Sequence, residues 1–295
     1  MRLVQLITLF FEFASATTYT KGCRIKHGGF ADIYQGRNDV TGQMVMIKVP
    51  HSRAAATEAA NNEIAILQHI PPHPNLVDII ALDNQEGIVM ELINDDFEST
   101  PPAVMTDAVR RDIFKQIVIG VHHLHVHDVA HLNLKPKNML IQYDGGDTAR
   151  FKIANFADAV LTQVDCDQVR GTSKFMPPEV LLMKINRDAV DDWEDPAVRA
   201  PFAYAGKPVD VWQLGLVLYE MVVGSWPLDE FDQGDDATYV RQLYEHWSGK
   251  NDLADSDMSK RGISISLLSL LFPASGCENC LGELKSGNTA PRQKS

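Results

Sequence analysis

Short runs rich in β-branched and aromatic residues fill the first third of the chain. Tyr19 to Tyr34 and Gly42 to Pro50 read as strands bounded by glycine, and Ile88 to Ile93 as another. Between them, Ala54 to Ile70 is Ala-rich and amphipathic and predicts a helix. The period then lengthens. Val109, Ile113, Ile117, Val121 and Leu124 fall on one face of a helix from Thr106 to His127. Phe151-Lys152-Ile153 is a short strand, and Val209 to Val223 a long apolar helix. Ile263 to Phe272 predicts one more helix. Pro273 to Ser295 is polar, with Gly, Pro and mixed charge, and predicts a disordered tail.

Composition narrows the classes. A chain of 295 residues, 45% apolar and 22% charged, can bury a full core in one large domain or two lobes. The net charge of −12, without a basic run, argues against a nucleic-acid partner. Four cysteines are too few for a disulfide framework. Cys277 and Cys280 have metal-ligand spacing but no second pair beside them, so they read as incidental residues of the tail. His123 and His127 stand four apart on a helix face, without a third ligand placed by spacing. Residues 1–18 are an N-terminal extension or a secretory signal: one Arg, an apolar run and Ala14-x-Ala16 favour the signal, and Gln5 and Glu12 interrupt it. The run is too short to span a membrane.

Several segments carry chemistry. Gly28-Gly29 is a turn, followed at strand spacing by Val45-Met46-Ile47-Lys48. Lys48 and Glu63 both sit among apolar residues, which suits an internal ion pair better than two solvated side chains. His131-Leu132-Asn133-Leu134-Lys135-Pro136-Lys137-Asn138 precedes the apolar run Met139-Leu140-Ile141. Asp144-Gly145-Gly146-Asp147 reads as a hairpin turn. Asn155-Phe156-Ala157, Gly171 to Glu179 and Val209-Asp210-Val211-Trp212 follow in order. In this order and spacing the segments resemble those of the eukaryotic protein kinases. Lys135 and Thr172 make the resemblance one to Ser/Thr rather than Tyr kinases.

The resemblance implies an α+β, two-lobed protein kinase fold over residues 19–272. A small β-rich lobe with one helix would span 19–93, and a larger, mainly helical lobe 94–272. It implies a nucleotide slot formed by Ile25, Gly28, Ile33, Met46, Lys48, Glu63, Met90, Glu91, Ile93, Leu140 and Asn155. Its catalytic loop would be Asn133, Lys135 and Asn138. Here this chain departs from the family. Asn133 stands where the family has the Asp that acts as base, and an amide oxygen is a very weak base. Asn155 stands where the family has the metal-binding Asp, and hard cations bind through carboxylates. Asp158, three residues on, is expected to point elsewhere. Lys26 and Ala31 replace glycines of the phosphate-covering loop, leaving Lys26 as a direct phosphate contact. Met46 replaces a small residue against adenine, and Leu132 an Arg that would hold a phosphorylated segment. No metal ligand is assigned, ATP is expected to bind weakly, and magnesium finds no carboxylate.

His131, Leu67 and Phe156 would form a buried column, with Asp210 tying down the loop. The expected function is therefore a catalytically impaired pseudokinase acting as a binding or allosteric module in phospho-signalling. The alternative is a Ser/Thr kinase with weak or atypical phosphotransfer. The implied partner is a protein, an active kinase or its substrate, met partly through the acidic stretch Asp188, Asp191, Asp192, Glu194 and Asp195. The expected location is the cytoplasm, or outside the cell if residues 1–16 are a signal.

Overall fold

Strand β1 (Tyr19–His27) turns through Gly28-Gly29 into β2 (Ala31–Asn38), and β3 (Met44–Pro50) follows after a second turn. The computed structural model describes residues 18–249, apart from 84–86, 94, 100–105, 144–148, 191, 229–230 and 232–234. The N-terminal extension, the Asp144–Asp147 turn, Asp191, the Ile263–Phe272 helix, Cys277, Cys280 and the tail lie outside the described residues.

Strands β4 (Ile79–Asp83) and β5 (Gly87–Glu91) complete an antiparallel sheet of order β1-β2-β3-β5-β4. Side chains alternate faces along a strand. On β3, Val45 and Ile47 are therefore buried with Val89 on one face, and Met46 and Lys48 point to the other. Helix α1 (Ala54–His69) buries Ala56, Glu63 and Ile66. Burying a carboxylate among them is costly unless it is paired, and the partner lies on β3.

Below the sheet, β6 (Asp95–Asp96) pairs with β8 (Met139–Tyr143), which pairs with β9 (Ala149–Ile153). Helix α2 (Asp107–Val126) buries Ile113, Phe114, Ile117, Val121 and Leu124. Val109, expected on this face, is 46% exposed, because it stands in the first turn, ahead of the first buried position, Ile113. Strand β7 (Val129–Ala130) pairs with β10 (Val160–Leu161) and flanks the central loop.

Helix α3 (Pro178–Arg187), the short helix α4 (Pro196–Arg199), α5 (Gly206–Val223) and α6 (Asp236–Gly249) complete the described chain. Helix α5 begins one turn before the expected Val209. Gly206 allows this, since a Cβ there would lie 2.7 Å from the Ala130 Cβ. The acidic stretch between α3 and α5 is folded rather than loose. Trp193 and Phe202 rings meet at 5.6 Å, Asp195 caps α4 at Ala197 N, and Arg199 reaches Asp167 at 2.7 Å. No helix among the described residues is long and apolar enough to cross a membrane.

Candidate functional site

The loop His131–Asn138 is held from α5. Asp210, fully buried, accepts His131 N at Oδ2 and Leu132 N at Oδ1, both at 2.8 Å, and His125 Nε2 at 2.9 Å. One turn along, Gln213 accepts Leu134 N at 2.7 Å and donates to Leu132 O at 2.9 Å. These bonds satisfy a carboxylate and an amide that would otherwise be buried without partners. They also hold Leu132 at φ 61°, a left-handed conformation that a non-glycine residue adopts at a cost. Gly171 packs against that residue with φ 93°, and any Cβ there would fall 2.3 Å from Leu132 O. His131 accepts Asn133 N at Nδ1 and donates Nε2–H to Ala154 O at 3.1 Å, the neutral tautomer. Complete burial depresses its pKa, opposed by the nearby Asp210 charge. Its ring meets Phe156 edge-on at 5.0 Å, and Leu67 packs half-buried against the same core.

Lys48 and Glu63 form the expected ion pair, and Glu63 also accepts Phe156 N at 3.2 Å. Lys48 donates further to Asn155 Oδ1 at 3.1 Å. Asn155 donates to Asn138 Oδ1 at 3.3 Å, and Asn138 donates to Asn133 O at 2.7 Å. Asn133, Asn138 and Asn155 thus lie in one continuous hydrogen-bonded chain that starts at Lys48. Lys135 Nζ donates to Thr172 Oγ1 at 2.6 Å, and Thr172 to Asn133 Oδ1 at 2.9 Å. Burial depresses the Lys135 pKa, with Lys137 adding repulsion.

Asp158 corrects an expectation. It does not point away: its carboxylate accepts Asn133 Nδ2 at 2.7 Å. The short 3₁₀ turn Phe156–Asp158, entered with Asn155 at φ 68°, folds the chain back so that the third residue faces the loop. Asn62, which precedes Glu63 on α1, donates to Ala157 O at 3.0 Å and Ala159 O at 2.9 Å and fixes that fold-back. The motif pattern carried no signal for Asn62 or Asp158, because both contacts depend on the path of one turn.

Ile33, Met46 and Leu140 are half-buried, with Met46 and Leu140 packed on the cluster that holds Met90 and Ile93. Ile25 is 52% exposed at the roof, and Gly28 closes the hairpin by donating N–H to Ala31 O at 3.0 Å. The Glu91 side chain turns away to Lys152 at 2.7 Å, leaving only its backbone for a slot ligand. Lys26 is not a free phosphate contact. It donates to Asp96 Oδ2 at 2.8 Å, and Asp96 pairs in register with Leu140 on the slot floor. This bridge joins roof to floor. Asp96 is held below the usual carboxylate range, its partial burial outweighed by the bonds from Lys26 and Ser99.

The three amides do not supply the charged oxygens a hard cation prefers, and Asp158, the carboxylate beside them, is bonded to Asn133. Asn133, Asn138 and Asn155 offer no carboxylate, and the amide oxygen of each already accepts a protein hydrogen bond. The frame around these side chains is two-lobed, a five-stranded sheet with one helix over a mainly helical part. The family model of the protein kinase domain matches residues 19–271, and the chain belongs to that family. It is similar to serine/threonine-protein kinase GRIK2 of Arabidopsis thaliana, 28% identical over 71% of this chain and 51% of that one. It is similar to CBL-interacting protein kinase 25 of Oryza sativa subsp. japonica, 29% identical over 72% of this chain and 41% of the relative. Sperm motility kinase 2B of Mus musculus is 28% identical over 74% and 42%. The chain spans about half the length, or less, of these curated relatives.

Proposed function

We propose that this chain is a pseudokinase, a protein kinase fold that acts as a binding or allosteric module in phospho-signalling, with the cytoplasm as its place of action. One observation carries the reading. Asn133, Asn138 and Asn155 occupy the places of base and metal ligands, and their amide oxygens accept from Thr172, Asn155 and Lys48 in turn. A base contributes about 10²–10⁴-fold to rate, so its loss alone is severe. The scaffold bonds from Asp210, Gln213 and Glu63 are meanwhile intact. Nucleotide, where bound, rests on Lys48 and the apolar slot rather than on a divalent ion. Thermal shift of the full chain with ATP tests this. The expected result is a shift unaltered by Mg²⁺ or Mn²⁺, and a shift that requires either ion overturns it.

The module binds a protein. Asp192 and Glu194 are exposed in the acidic stretch, whereas Asp188 pairs with Arg187 and Asp195 caps α4. A basic partner surface is the matching chemistry.

A second reading, weak Ser/Thr phosphotransfer, is favoured by Asp158. Its carboxylate touches Asn133 and so lies within one side chain of the place where a kinase base accepts the substrate proton. Under that reading Asp158→Asn abolishes any transfer. Transfer that survives the substitution discards Asp158 as the base.

A further inference from the structure

A second cluster lies outside the slot, at the tip of the β1–β2 hairpin. His27 is the last residue of β1 and stands opposite Asp32 on β2 in the ladder. His51 follows the end of β3, and its N–H donates to Phe30 O at 2.9 Å, which brings it under the same turn. Three adjacent strand ends therefore meet. His27 Nδ1 lies 2.6 Å and His51 Nε2 3.3 Å from a single oxygen, Asp32 Oδ1. The three ligand atoms all lie within 4.8 Å of one another, and the two imidazole rings stack at 5.4 Å.

From this geometry we infer a binding site for a divalent cation of the zinc class, formed by His27, Asp32 and His51. Two imidazole nitrogens and one carboxylate oxygen suit a borderline ion such as Zn²⁺ and leave a position for water. Ligands at a zinc distance of about 2.0–2.1 Å stand roughly 3.3 Å apart in a tetrahedron. The His51–Asp32 spacing of 3.3 Å matches that value, the His27–Asp32 spacing of 2.6 Å is shorter, and His27, the exposed member, swings to adjust. Arg24 supports the carboxylate from behind: its Nη1 lies 3.4 Å from Asp32 Oδ2, the oxygen the histidines do not use. Metal-bound carboxylates are commonly held this way by an outer partner.

The other histidine cluster offers less. His123 Nε2 and His127 Nδ1 are bonded to the Pro71 and His123 carbonyls at 2.9 and 2.8 Å. The ion would clamp β1, β2 and the end of β3 together, fixing the hairpin that roofs the slot. The site does not depend on whether the chain transfers phosphate.

Calorimetric titration of the full chain with Zn²⁺ alone tests the inference, in a Cys277→Ser, Cys280→Ser background so that tail thiols contribute nothing. One site is expected. His27→Gln, at an exposed position that leaves the fold intact, should weaken it at least by the roughly tenfold that losing even an outer partner costs. The rise in Tm that Zn²⁺ gives should vanish in the same variant, while the Tm without metal stays that of the parent. Cobalt(II) in the Cys277→Ser, Cys280→Ser background gives an independent signature: visible d–d absorption of a nitrogen and oxygen site, expected to vanish in His27→Gln, whereas absorption unchanged by that substitution overturns the inference. No Zn²⁺ binding, or binding that His27→Gln and Asp32→Asn leave unchanged, overturns the inference.

Discussion

Asn133 and Asp158 face each other at 2.7 Å, and the pair defines the chemistry left in the loop. An amide stands where the family has its base, and a carboxylate touches that amide from the turn after β9. Met46 and Lys26 act on the slot instead. Met46→Ala removes a flexible side chain from its roof and should tighten nucleotide binding in a fluorescent-nucleotide titration. Unchanged affinity would mean that Met46 does not obstruct the slot. Lys26→Ala opens the bridge to Asp96 and should tighten it further, additively if the two sites are independent. His131 carries a pH signature. Its folded pKa lies below its unfolded value, near 6.5, so on acidification the unfolded chain takes up the proton first. Stability from His131 is therefore full above that pH and is lost as pH falls below about 6.5. Chemical denaturation should show a smaller loss between neutral and mildly acid pH in His131→Phe than in the parent. Equal losses would mean that His131 does not supply this dependence.

Two elements hold their partners by buried charge. Glu63 on α1 is almost wholly buried, and Lys48 on β3 is its cation. Removing one member of such a pair costs about 3–5 kcal/mol, because the other is left buried and unpaired. Lys48→Met should therefore lower stability more than Lys48→Met combined with Glu63→Gln, as read in a double-mutant cycle. Gly171→Ala should cost about 1–3 kcal/mol or more, from its left-handed φ and its contact with Leu132 O. The ion pair was legible in the sequence, since Lys48 and Glu63 stand where a solvated charge would be misplaced. The strands and long helices were legible too, from periods of two and near four. Contacts made by loop paths were not. Asp158 turns on one 3₁₀ turn, and Lys26 meets Asp96 only because β6 pairs with β8. His27, Asp32 and His51 meet through strand register, which spacing along the chain does not display.

At the scale of the molecule, a small sheet and a mainly helical lobe keep the frame of the protein kinase domain, with Asn133 and Asn155 where the family has carboxylates. Asp192 and Glu194 stand exposed in the acidic stretch, the surface proposed to meet a partner. Capture of a basic partner should weaken in Asp192→Asn with Glu194→Gln, and capture unaltered by both would remove that surface from the account. The frame was legible from motif order and spacing over residues 19–272, and the family model matches 19–271. The partner was not, because an exposed charge carries no record of what meets it. The central claim is that the site no longer transfers phosphate. It is tested most directly by incubating the full chain and its Lys48→Ala variant with radiolabelled ATP, Mg²⁺ or Mn²⁺ and a protein acceptor. The account predicts equal background incorporation from both. Incorporation by the parent that is lost on Lys48→Ala would contradict it.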